Sequence, residues 1–523
     1  MKSLCKPVLA LAIVFSLQNA ALCADIESHR TALKNAQSSI DSLKKEMTAS
    51  KWYPQYHLAP FAGAMNHPNA IVYFNNAFHL FYEQDIKHSD GKIIPVWAHM
   101  TSSNLLHWKK QPLSIAANEE YDKDGVFAGS AIFDNNLLNV FYTGYSEKKV
   151  NDKIQKTEVP CLATSKDGMY FGKSANNPLI KNPPKYLDTA FFAEEVFRDP
   201  FVWKQGDKYY ALMGTQYEKT KDGAVLLFKS ADLRNWEFVD ITAIGSKGEM
   251  GSSWDCPNFL HIGADDVLII NPTGIKPQGN MFLNKYISGA FIGKLDYKTA
   301  KFKQKGPFTL LDYGFDFYAP QSVKAPDGRT IIIGWLGMPD SVLHESSENW
   351  SGMMTLPREL KIVNGKLSVA PIEELKQLRA EQISHSDIKI NGQKEFFNLK
   401  GDAYEIETEI DLTNAASFSI KLRESKIQDT TLTYDKASQM LKLNRDRSGH
   451  ALKGQREVKL PIENKLLKLR IFVDRSSVEV FVNNIAMTAR IYPDKASSGI
   501  KFVSNGEAVI KNLNFYRLKS VYD

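Results

Sequence analysis

From Trp52 onward the chain alternates short apolar-aromatic runs with Asn, Asp, Gly and Pro, as in AIVYFNNAFHLFYE (70–83) and DPFVWKQGDKYYALMG (199–214). Period-two runs split by such turn residues predict strand-turn-strand units. The same texture recurs in FAGSAIFDNNLLNVFYTG (127–144), VLLFKSADLRNWEFV (225–239) and SVKAPDGRTIIIGWLG (322–337). Repeated meanders with little helical periodicity predict a β-propeller over 52–371. Ahead of it, Ile26, Leu33, Ala36, Ile40, Leu43 and Met47 recur at helical spacing among Lys, Ser and Glu, which predicts an amphipathic helix within 25–51. An amphipathic stretch at Ile372 to Arg379 predicts a helical linker over 372–384. From 385 to 523 the pattern is strand-like again, including LRIFVDRSSVEVFVNN (469–484), and its size suits a separate β-sandwich.

The first residues have the form of an export signal: Lys2 and Lys6, an apolar run from Pro7 to Leu17, then small or apolar residues from Ala20 to Ala24. This predicts a signal peptide over 1–24, a mature chain from Asp25, and a secreted or periplasmic protein. The run falls below the roughly 20 residues that cross a bilayer, so no membrane span is expected. Cys23 invites a lipid anchor, but Leu22 stands where lipoprotein signals carry a small residue. With Cys5 and Cys23 removed, Cys161 and Cys256 remain, and an exported context permits one bridge between them.

A length of 523 residues implies two or three folded units, and 43% hydrophobic with 24% charged residues is ordinary for a globular protein. The net charge of +6 is dispersed and does not point to nucleic acid. No HExxH, paired CxxC or nucleotide loop calls for a metal or other cofactor. Oligomeric state stays open.

The segments YPQYHLAP (53–60), MNHPNA (65–70), WAHMTSSNLLHW (97–108), FRDP (197–200), WDCP (254–257), DFYAPQS (316–322), MTLPREL (354–360) and DRSSVEVFVN (474–483) occur in the order of one family. Through them nearly the whole mature chain resembles the glycoside hydrolases that include invertases, sucrose-6-phosphate hydrolases, levanases and inulinases. The resemblance implies an all-β protein, a five-bladed β-propeller followed by a C-terminal β-sandwich. It also implies a pocket for fructose-containing oligo- or polysaccharides and no metal requirement.

Retaining glycoside hydrolysis needs two carboxyl groups about 5–5.5 Å apart, one as nucleophile and one as acid/base. By resemblance these stand at positions 67 and 255, with a transition-state-stabilising Asp at 199. The residues here are His67, Asp199 and Asp255. An imidazole cannot form the fructosyl ester, and Asp255 is one methylene shorter than the family's Glu. Nearby, Ala70, Glu83, Ala98 and Ala128 stand where the resemblance has Gly, Gln, Gly and Ser. Asn66, Glu83, Ala128 and Arg198 are candidate sugar contacts. Trp97 and Phe127 are expected as pocket walls, whereas Tyr318 and Trp335 fit core or pocket equally, since aromatic faces serve both. Cys256 reads as packing.

Three readings follow. One is a β-fructofuranosidase with impaired or altered chemistry, for example His67 as general base with Asp255 as acid, which would invert configuration. The second is a non-catalytic fructoside-binding protein, and the third a scaffold without sugar binding. A phosphorylated substrate fits an exported protein poorly, although FYAPQS and MTLPREL resemble the sucrose-6-phosphate branch.

Overall fold

The computed structural model describes residues 8–43, 50–87, 91–184, 192–246, 248–450 and 453–522, with only the backbone described before Ile26. A continuous helix, Val8–Leu43, runs through the expected boundary at Asp25. Ala36 and Ile40 are buried against the propeller, and Leu33 and Leu43 pack beside them. Ile26 does not join that stripe, being 46% exposed, while Met47 lies outside the described residues. Residues 1–7 of the expected export segment also lie outside them. Among the described residues no helix is long and apolar enough to cross a membrane.

Five antiparallel sheets follow in chain order, each built as a meander. Their first strands are Gly63–Phe74, Gly125–Asp134, Phe192–Gln205, Trp254–Ile262 and Tyr318–Lys324. Each packs on the next, and the fifth packs on the first, so these are the innermost strands of a closed five-bladed propeller. Each predicted strand-turn-strand unit is a hairpin. In the first two blades the turns are Asn75-Asn76 and Asn135-Asn136, with φ of 48° and 58°, and of 51° and 58°. Left-handed geometry at both central residues matches the twist of the strands, and Asn tolerates it. Ring closure is reinforced by Trp350 and Ser351, which pair in parallel with Gly63 and Ala64.

In place of the expected linker helix there is one 3-10 segment, Glu373–Leu378, and the first sandwich strand, Arg379–Lys400, starts directly after it. It pairs with Gly499–Leu518, which pairs in turn with Ala403–Glu424. Apolar residues such as Ile406, Ile410, Ile471, Val480 and Phe515 fill the sandwich core.

Several quoted motifs meet at the seam between the two domains. The Asp474 carboxylate accepts the backbone N–H groups of Gln55, Tyr56 and His57 at 2.7, 2.9 and 3.0 Å. The His57 ring bridges Asp474 (2.8 Å) and Glu479 (3.0 Å). Glu479 also binds Arg358 at 2.7 Å, and Arg358 binds Asp312 at 2.8 Å and Thr488 at 2.6 Å. Thus YPQYHLAP, MTLPREL and DRSSVEVFVN hold the sandwich to the propeller.

Burial opposes charge on His57, but its bonds to Asp474 and Glu479 outweigh that and raise its pKa to about 9. The unfolded value is about 6.5, so the folded state binds the proton more tightly. The stability it contributes is complete below about pH 6.5 and is lost as pH rises through about 9. We expect the melting temperature to fall over that window and His57→Gln to flatten the fall, measured by calorimetry from pH 6 to 9.5. An unchanged slope in the variant would refute the assignment.

Candidate active site

Each innermost strand carries a β-bulge at the same level. The register shifts between Met65 and Pro68, Phe127 and Gly129, Arg198 and Phe201, Asp255 and Asn258, and Tyr318 and Gln321. A bulge re-aims side chains out of the ladder, and Pro tolerates the lost pairing. Pro68, Pro200, Pro257 and Pro320 sit in four of them. Asp199, Cys256 and Ala319 adopt φ of 59°, 43° and 45° there, conformations that need outside support. The bulges are cross-linked: Ser130 Oγ donates to Pro200 O (2.7 Å), Asn258 Nδ2 to Pro320 O (3.2 Å) and Gln321 Nε2 to Gly129 O (3.0 Å). Gly129 is required because a Cβ would sit 1.9 Å from Phe141 O.

Asp199 is buried and doubly anchored. Its N–H donates to Thr143 Oγ1 at 2.8 Å, and its Oδ2 accepts the Cys256 N–H at 2.8 Å. Burial, with Asp255 nearby, pushes its pKa up, against the pull of Arg198 and His67. Arg198 is the cationic hub. It binds Asp255 Oδ1 at 2.7 Å and Glu158 Oε1 at 3.0 Å, and its Nε lies 3.7 Å from Asp199.

Asp255 has both oxygens engaged. Oδ1 also accepts from Ser253 Oγ at 2.8 Å, and Oδ2 accepts from the Tyr318 hydroxyl at 2.6 Å. Burial works against its charge, but the Arg198 guanidinium and the bonds from Tyr318, Arg198 and Ser253 prevail and hold the carboxyl below the usual Asp range. A proton donor needs the opposite shift. Glu158 shows it: burial raises its pKa to about 7 despite Arg198.

On the first-blade side, Asn66 Nδ2 donates to both Glu83 Oε1 (2.9 Å) and Asp85 Oδ2 (3.2 Å). Burial pushes the Glu83 pKa up to about 7, with His67 pulling it down and Asp85 raising it. Asp85 is raised by burial as well. His67 is half-buried, its Nδ1 has no hydrogen-bond partner, and it lies close enough to Glu83, Asp85 and Asp199 to pull down the pKa of each. His67, Asp199 and Asp255 therefore form one electrostatic cluster, drawn from the first, third and fourth blades.

The aromatic expectations need correction. Trp97 is 0% exposed and packs against Phe81 and Tyr142 while its indole N–H donates to Phe127 O at 2.9 Å, so it is blade core and presents no face to a sugar. Ala128 is also 0% exposed, its carbonyl bonded to Thr143. Tyr318 and Trp335 are buried beside Cys256, Ala319 and Met338, with only the Tyr318 hydroxyl reaching the acidic station. Phe127 is half-buried and stacks on Tyr145 at 4.7 Å. Cys161 and Cys256 are both free thiols.

The sequence reading missed Glu158, Asp85, Ser253 and Thr143. Asp85 was within reach, since two residues along a strand from Glu83 it shares that face. Glu158 was not, because it follows the Lys-rich hairpin tip 148–156 and only its approach to Arg198 distinguishes it.

An axial cluster of carboxylates on a five-bladed propeller, with a sandwich locked to its side, defines a carbohydrate-active protein of the glycoside hydrolase class. The chain belongs to glycosyl hydrolase family 32: the N-terminal domain of that family matches residues 57–371 and its C-terminal domain residues 374–517. It is 36% identical over 496 residues to a sucrose-6-phosphate hydrolase of Escherichia coli, covering 94% of this chain and 99% of the relative. A raffinose invertase of Escherichia coli is also 36% identical, with 93% and 99% covered. Among solved structures, a Bombyx mori β-fructofuranosidase superposes with a TM-score of 0.80 at 30% identity, covering 94% of this chain and 99% of that one.

Proposed function

We propose that this chain binds terminal β-fructofuranosides such as those of sucrose, levan or inulin, and hydrolyses them orders of magnitude more slowly than a family member with both carboxyl groups. The observation that carries the reading is the state of Asp255. It is held ionised by Arg198 and Tyr318, while the facing station at His67 offers no carboxylate. Neither leaving-group protonation nor a covalent fructosyl intermediate has its usual agent. Arg198 and Asp199 remain in place to engage sugar hydroxyls. The residues 2–24 support action outside the cytoplasm.

Isothermal calorimetry with sucrose, inulin and levan, beside a fructose-release assay, tests this. Saturable binding is expected, lost in Asp199→Ala, with turnover at least about a thousandfold below an ordinary enzyme of the family. Robust hydrolysis by the unaltered protein overturns the impaired-enzyme reading, and the anomer first released would then assign an adapted mechanism. Absence of any sugar binding favours the scaffold.

A further inference from the structure

We propose that Glu83 is the charged group that meets the sugar ring on the first-blade side of the pocket, so that the site selects a positively charged ring over a neutral furanose of the same shape. The inference rests on the fructoside-binding reading above and adds a specificity to it.

Asn66, from the same bulge as His67, holds Glu83 Oε1 at 2.9 Å and so fixes the carboxylate across the strand pair from residue 67. The remaining charges sort unevenly. Arg198 is shared between Asp255 and Glu158, with bonds of 2.7 and 3.0 Å. Among the described residues no Lys or Arg forms an ion pair with Glu83 or Asp85. Their facing groups are Asn66, His67 and, further off, Asp199. Glu83 is only 8% exposed.

A buried carboxylate whose basic neighbour is the imidazole of His67, with no Lys or Arg ion pair among the described residues, is costly to keep ionised, and burial has raised the Glu83 pKa to about 7. A ligand carrying a cation at the ring would supply a permanent counter-charge in low-dielectric surroundings, where charge pairing is strongest. A neutral ring gains only a hydrogen bond. The ligand class that fits is a fructofuranose-shaped ring bearing an ammonium group.

Two probes with the same hydroxyl pattern separate the contributions. One is a pyrrolidine polyol, protonated at the ring nitrogen, and the other the matching tetrahydrofuran polyol with a ring oxygen. Calorimetry on the full chain is expected to find the pyrrolidine at least about tenfold tighter. In Glu83→Gln, a near-isosteric change, that ratio should fall below about threefold. An unaltered melting temperature would show that the variant is folded. Equal affinity for both rings in the parent, or a ratio that survives Glu83→Gln, overturns the assignment while leaving fructoside binding intact. If neither polyol nor sucrose nor fructose binds, the binding reading itself falls and this inference with it.

Discussion

Changing His67→Asp together with Asp255→Glu should raise fructose release from sucrose by at least about a thousandfold over the unaltered protein, with each single change giving far less. On the proposed reading, the two stations would serve different stages of one reaction. An Asp at 67 supplies the nucleophile for the fructosyl ester, and a Glu at 255 carries its oxygen about 1 Å further toward the glycosidic oxygen, a distance that can alter rates about a hundredfold. Groups acting as a unit lose most of their effect when either is missing, so a cycle of two singles and the double should be strongly non-additive. Glu83 limits the rescue, because its negative charge would raise the pKa of a carboxylate restored at 67. Adding Glu83→Gln should therefore increase the rate again and shift the acidic limb of the pH profile downward. If the double change leaves turnover at the starting level under steady-state assay, the proposed impairment does not reside at these stations.

The second large effect concerns stability. Glu479→Ala should cost about 3–5 kcal/mol of unfolding free energy, because it strips one partner from a buried charge network. Glu479 is fully buried and binds Arg358 at 2.7 Å, His57 at 3.0 Å and the Leu356 N–H at 2.8 Å. Removing it leaves Arg358 with Asp312 and His57 with Asp474, each short of one counter-charge inside the domain seam. Urea unfolding followed by tryptophan fluorescence checks this. A cost below about 1 kcal/mol would place the network with exposed pairs such as Lys149–Asp152, which contribute little.

The sequence by itself determined the strand pattern and the chemical identities at the stations. Alternating apolar positions and Asn-rich turns are local signals, readable because a hairpin's twist and pleat act within a few residues. They placed hairpins at 70–83, 127–144 and 199–214, where the structure has them. That position 67 is His and position 255 is Asp was equally plain. What only the tertiary structure decided is how those groups are charged and which neighbours they meet. The engaged, ionised state of Asp255 arises from Arg198 on the preceding blade, 57 residues away, and from Tyr318 on the next, which together overcome a burial that no single segment encodes. Trp97 reads from its motif as a sugar wall, yet it is core, because closing the first blade onto the second encloses it between Phe81 and Tyr142. The motifs around His57, Arg358 and Glu479 identified the family while giving no hint that their work is to join two domains. Local periodicity specifies strands, but the pKa of a carboxyl and the exposure of a ring depend on contacts set by closing the propeller and docking the sandwich, over separations of up to hundreds of residues.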